Sequence, residues 1–173
     1  VLTVDVTGGV TEDASATTLT DTGVLSFTDL DTSNTHSVTN SYNSDASWSG
    51  GTLSAPQITA LTGGFTNDTN SWDYIVANAD TQFLADGETV TFSYDVTVTD
   101  NDGGSDVDTV TVTLTGTNDA PIITGGSDVA NINETDAGLT STGALTVSDV
   151  DVTDLVAASV DSISITGTSD RSD

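Results

Sequence analysis

The stretch Thr89–Ile123, TVTFSYDVTVTDNDGGSDVDTVTVTLTGTNDAPII, decides the fold class. Val90, Phe92, Tyr94, Val96 and Val98 alternate with Thr91, Ser93, Asp95, Thr97 and Thr99. A period of two marks a strand with one buried and one wet face. On this reading Asp95 is an exposed strand-face residue without a partner. Asp100-Asn101-Asp102-Gly103-Gly104 reads as a turn, because Gly and Asn tolerate positive φ. A second alternating run has Val110, Val112 and Leu114 inward and Thr109, Thr111, Thr113 and Thr115 outward. The spacing predicts a long antiparallel hairpin. Pro121, in Asn118-Asp119-Ala120-Pro121, cannot donate to a ladder and holds the preceding residue extended. A domain ends here and a linker begins.

Upstream, Val1, Leu2, Val4, Val6 and Val10 form an edge-strand pattern around Gly8-Gly9. Leu19 to Thr28 gives the next strand, and Val38, Tyr42 and Trp48 are core candidates in a weaker segment. Ile58, Leu61 and Phe65, then Trp72, Tyr74 and Ile75, predict two more strands around Gly63-Gly64. A short helical turn is expected over 79–84. Turn signals about every ten residues favour an all-β sandwich. Downstream the chain begins again. Leu139-Thr140-Ser141-Thr142-Gly143-Ala144-Leu145 mirrors Leu19-Thr20-Asp21-Thr22-Gly23-Val24-Leu25, an offset of 139 − 19 = 120, and Asp149-Val150-Asp151 mirrors Asp29-Leu30-Asp31. Ile132-Asn133-Glu134 mirrors Val10-Thr11-Glu12 at 132 − 10 = 122. The expected organisation is one complete module over 1–123 and the first part of another over 124–173.

The 27 acidic residues against a single basic one give a formal charge of −26. Such a surface repels nucleic acid and anionic membranes, and its natural partners are hard divalent cations that prefer oxygen ligands. The plain alternative is an acidic, solubilising surface. With no Cys, neither disulfides nor thiolate metal sites are available; if the chain is secreted, carboxylate-bound calcium is the expected substitute staple. Apolar residues are interrupted every two or three positions, which excludes a membrane-spanning helix. The chain starts at Val1 without an initiator Met and reads as a piece of something longer.

Val10-Thr11-Glu12-Asp13, the run Gly23 to Asp31, Leu84-Ala85-Asp86-Gly87-Glu88, Val96 to Gly104 and Thr115-Gly116-Thr117-Asn118-Asp119-Ala120-Pro121 together resemble a VCBS repeat. The resemblance covers 1–123 and, truncated, 124–173. It implies an immunoglobulin/cadherin-like Greek-key β-sandwich in tandem repeat. It also implies a cell-adhesion role, as an extender module of a giant secreted RTX-type adhesin supporting surface attachment and biofilm formation. Localisation would be extracellular, at the bacterial cell surface after type I secretion, and the partners would be neighbouring repeats of the same chain. In cadherins, calcium sits between domains on an early Glu, an Asp-x-Glu, an Asn-Asp linker and an Asp-x-Asp of the next domain. Glu12, then Asp86 and Glu88, then Asn118 and Asp119, then Asp149 and Asp151 stand here in that order. In a sandwich of alternating strands these acids face one another across the linker, while Asp29, Asp31, Asp100 and Asp102 gather at the opposite pole. The plain alternative for any one of these acids is a solvated turn residue.

Other motifs carry less. The loop from Asp100 resembles an EF-hand, but the twelfth position is Thr111 rather than Glu. Asp21-Thr22-Gly23 matches the aspartic-protease triplet, which needs a second carboxylate, and the second copy reads Ser141-Thr142-Gly143. His36, the sole histidine, has no nucleophile motif to serve. A non-catalytic protein is expected. The Thr rows suit ice binding but are more simply the wet faces of strands. Asn67-Asp68-Thr69 and Asn133-Glu134-Thr135 match the glycosylation sequon, which means little in a bacterial setting. Two alternatives to the extender stand: a subunit of an extracellular filament or surface layer, assembled homotypically, and a calcium-dependent carbohydrate-binding module using Trp48 or Trp72.

Overall fold

The run that alternates from Val90 to Leu114 folds as a hairpin, its strands paired without a break from Thr89↔Thr115 to Thr99↔Ser105. Its tip is closed from within. Asp100 Oδ1 accepts the N–H groups of Asp102 and Gly104 at 2.9 and 2.8 Å, and Gly103 takes a φ of +92°, a conformation open to glycine. The computed structural model describes residues 1–12, 15–126, 132–133 and 139–164. Asp13, Glu134 and Thr135, named above in motifs, lie outside the described residues.

In chain order the elements are β1 (Leu2–Val4), β2 (Thr7–Thr11), β3 (Thr18–Phe27), β4 (His36–Tyr42), β5 (Ser47–Trp48), helix α1 (Ala55–Thr62), β6 (Phe65–Asn67) and β7 (Ser71–Ala77). A 3₁₀ turn (Asn78–Asp80) follows, then β8 (Thr89–Asp100), β9 (Ser105–Thr115), β10 (Ile122–Gly125) and β11 (Thr146–Ser148). One sheet has the order β1-β3-β7-β6. The other runs β2-β9-β8-β4, with β5 also on β8. Pairing is antiparallel except between β2 and β9, which are parallel. The protein is all-β. Leu25, Trp72 and Tyr74 of the first sheet and Phe92, Val96 and Val112 of the second are buried in one core.

Three expectations are corrected. The apolar run from Val1 to Val10 is two strands in different sheets rather than one edge strand. The switch falls at Asp5 and Val6: the Asp5 N–H bonds to Val24 of β3, and the Val6 carbonyl accepts from Thr111 of β9, both at 2.9 Å. Trp72 holds the crossover by donating its indole N–H to the Asp5 carbonyl at 2.9 Å. Second, residues 55–62 form a helix, not a strand. Ser54 precedes it, Pro56 occupies its first turn, and Gln57 Oε1 accepts the Ser54 N–H at 2.9 Å, a capping arrangement that outweighs the β-branched Ile58. Third, Asp95 is not partnerless. It accepts from Asn43 Nδ2 at 3.0 Å and Thr109 Oγ1 at 2.8 Å, and these bonds lower its pKa. The helical turn expected over 79–84 is a 3₁₀ turn at 78–80 followed by hydrogen-bonded turns.

Beyond Pro121 the first pairing recurs. Ile123↔Val147 in β10–β11 matches Leu2↔Phe27 in β1–β3, with offsets of 123 − 2 = 121 and 147 − 27 = 120. After Ser148 the described residues contain no helix or strand, and Leu155, Val160 and Ile163 are 99%, 80% and 83% exposed.

Candidate metal centre

Glu12 follows the last residue of β2, where its N–H continues the ladder to the Thr115 carbonyl at 2.9 Å. Its side chain turns inward and is only 4% exposed. Oε1 accepts from Gln82 Nε2, and Oε2 accepts the Thr117 N–H at 3.2 Å. Asp151 enters from the second copy. Its N–H bonds to Asp149 Oδ1 at 3.2 Å, and its carbonyl accepts from Asp154 at 3.0 Å. Asp29, Asp31 and Asn34 repeat that turn in the first copy. Their surroundings differ: Asp31 is exposed, whereas Asp151 is 1% exposed, because the linker lies across it. The Asp119 N–H donates to Asp151 Oδ2 at 2.8 Å.

Two oxygens here are buried with no hydrogen-bond partner, Asp119 Oδ2 and Asp151 Oδ1. Burial raises the pKa of Glu12, and the charges of Asp119 and Asp151 add to the rise against the opposing Thr117 hydrogen bond. Burial likewise raises Asp151; the Asp119 N–H opposes this, and the charges of Asp119, Asp149 and Asp154 reinforce it. No Lys or Arg lies among the described residues to offset these carboxylates. Orphaned carboxylate oxygens of like charge are what a hard cation satisfies. Among the described residues, however, no group of three or more acidic or histidine side chains is gathered closely enough to hold a metal ion. A cation would have to draw Glu12, Asp119 and Asp151 together.

The other expected ligands are distributed as follows. Glu88, ahead of β8, accepts from Trp48 Nε1 at 3.1 Å and the Ala85 N–H at 3.2 Å through Oε2, and from Thr153 Oγ1 at 2.8 Å through Oε1. Asp86 is exposed and outside this network. Asn118 is exposed and donates its amide to the Asp119 carbonyl at 2.6 Å. At the opposite pole, Asp29 and Asp100 line a cavity of about 220 Å3 together with His36 and Asp106. The Asp31 N–H and the His36 ring, 2.8 Å from Oδ2, lower the Asp29 pKa. Asp31 and Asp102 are exposed and do not line that cavity.

Gln82, Thr117 and Thr153 were not legible as site residues, since nothing in their spacing marks them, and Trp48, a site candidate only for sugar binding, donates instead to Glu88; His36 and Asp106 reach the other pole without a signal in the sequence. Each residue of Asp21-Thr22-Gly23 has a structural contact. Asp21 Oδ2 accepts the Gly9 N–H at 2.6 Å, Thr22 Oγ1 donates to the Trp72 carbonyl at 2.9 Å, and a Cβ on Gly23 would lie 2.3 Å from the Trp72 ring. Trp48 is half-buried and edge-on to Phe83, with ring centres 5.0 Å apart. No protein-family model matches the chain, and no curated protein matches it.

Proposed function

We propose that this chain is a calcium-rigidified extender of a secreted bacterial adhesin, one complete repeat over 1–123 followed by the start of the next. The strand order β1-β3-β7-β6 against β2-β9-β8-β4, with β2 parallel to β9, fits an immunoglobulin/cadherin-like Greek-key sandwich. The single observation that carries the reading is Asp151. The same turn is exposed at Asp31 and buried at Asp151, against Glu12 and the linker, with one oxygen left unpaired. Without a cation, Glu12, Asp119 and Asp151 repel one another and the junction is loosened. With calcium, the same oxygens become ligands that tie two copies together. Extracellular calcium modules bind with Kd values of about 10⁻⁴ to 10⁻³ M. Such a chain stays loose in a low-calcium cytosol and stiffens outside, in keeping with export followed by assembly of a rod at the cell surface.

Calorimetric titration of the chain with calcium tests this. Saturable binding is expected, weakened about tenfold or more in Glu12→Gln and in Asp151→Asn. Unchanged binding in both variants, or none at millimolar calcium, overturns it.

A further inference from the structure

We propose that Glu88 is a cation-independent latch that docks the second copy onto the first, held in place by Trp48. The proposal stands apart from the calcium reading, because it concerns a junction acid whose two oxygens are taken by neutral donors, one set from each copy. Oε2 is fixed from within the first copy by the Trp48 indole N–H at 3.1 Å and the Ala85 N–H at 3.2 Å. Oε1 points the other way and accepts the Thr153 hydroxyl at 2.8 Å. Thr153 lies two residues beyond the buried Asp151 and belongs to the same turn. The carboxylate therefore bridges the two copies with no ion needed. Its donors are neutral, so the bonds are charge-assisted on the acceptor side alone.

The surroundings are shaped for this contact. A Cβ on Gly50 would lie 2.3 Å from Glu88 Oε1, so the turn after β5 leaves room only while that residue is glycine. Trp48 is itself anchored edge-on to Phe83, and β5 pairs with β8 at Trp48↔Val90. The first-copy counterpart of Thr153 is Ser33 (153 − 120 = 33), which also carries a hydroxyl. The latch thus uses a group that the repeat supplies in both copies.

The test is nitrogen-15 NMR of the whole chain in EDTA, following the Trp48 indole N–H and the backbone order of 149–154. In the unsubstituted protein a docked population of 149–154 should persist without calcium, smaller than in its presence. Thr153→Val, which removes only the hydroxyl, should lower the docked-to-undocked ratio about five- to tenfold. It should move the Trp48 indole signal and leave that of Trp72 in place. Thr153→Ser should restore both readings, and Gly50→Ala should mimic Thr153→Val by displacing the carboxylate. Disorder of 149–154 in the unsubstituted protein in EDTA, or Thr153→Val with unchanged order and indole signal, overturns the latch. Ordered 149–154 in EDTA with no calcium binding by calorimetry would sustain the latch and remove the calcium reading, so the two fail separately.

Discussion

On the calcium reading proposed above, Glu12 is the residue at which proton and cation would compete most directly. Its pKa is raised above the ordinary 4.5 by burial and by Asp119 and Asp151, and that of Asp151 is raised above 3.8. An acid raised in the folded state binds protons there that the unfolded chain has already released. Stability from these two groups is therefore greatest below their unfolded values and is lost as pH climbs through the folded ones. Asp29, Asp68, Asp95 and Asp106 act in the opposite sense. Hydrogen bonds hold them below 3.8, so their contribution is present above that value and lost as pH falls through the lowered ones. In chelator, melting temperature should peak at about pH 4 and decline toward neutrality, and saturating calcium should remove most of that decline. General repulsion in a chain of charge −26 contributes to the same trend, so the local part needs a variant. Glu12→Gln at pH 7 should raise the melting temperature in EDTA and abolish the rise on adding calcium. Equal loss in both conditions would reduce Glu12 to a structural residue. Asp86, exposed and outside the network, is the contrasting position: Asp86→Ala should change calcium affinity less than about threefold, within the worth of an exposed charge.

Between β3 and β7 the decisive contact is Gly23 against the face of Trp72. Trp72 is fully buried, its N–H is committed to Asp5, and a Cβ on Gly8 would also press on it at 2.5 Å. Gly23→Ala should therefore destabilise by about 2–3 kcal/mol, at the upper end of core overpacking, whereas Asp21→Asn keeps an acceptor and should cost less than about 1 kcal/mol. Chemical denaturation of both variants checks the order, and the reverse order would return the interest of the triplet to its carboxylate. The hairpin of β8 and β9 was legible because its contacts are local and its alternation strict. The partner of Asp95 was within reach of the same reading, since Thr109 lies directly opposite in the register. Helix α1 left signals in Ser54, Pro56 and Gln57, and Ile58 and Leu61, three apart, suit one face of a helix better than a strand. The split of Val1–Val10 between two sheets left none, because it depends on an indole 67 residues away. At the site, the acids were legible as types in an order. The groups that orient them were not: Gln82 meets Glu12 across 70 residues and Thr153 meets Glu88 across 65, distances over which spacing carries no information.

Across the whole molecule, the proposed calcium would act on a junction rather than on a core. The apolar centre is built of hydrocarbon and aromatic side chains, and the orphaned oxygens lie where the linker crosses Asp151. A ligand that binds only the ordered junction at about a hundred times its Kd stabilises that state by about 2.7 kcal/mol per site. That is a large share of a domain stability of about 5–15 kcal/mol, and it shifts melting by roughly 5–10 °C in a chain of this size. Magnesium should substitute poorly, because it demands tighter octahedral geometry and holds its waters. Sodium chloride should substitute poorly too, because screening weakens repulsion without supplying ligand bonds. The informative protein joins two copies of residues 1–123 through their own Asn118–Pro121 linker, which should bring Asp29, Asp31 and Ser33 of the following copy onto Glu12, Glu88 and Asp119 of the preceding one. Small-angle scattering should give a narrow, extended particle in calcium and a broader distribution of dimensions in EDTA, with the melting temperature following. If chelation changes neither quantity, or if sodium chloride alone restores both, the junction acids are not calcium ligands and the rod is not calcium-stiffened.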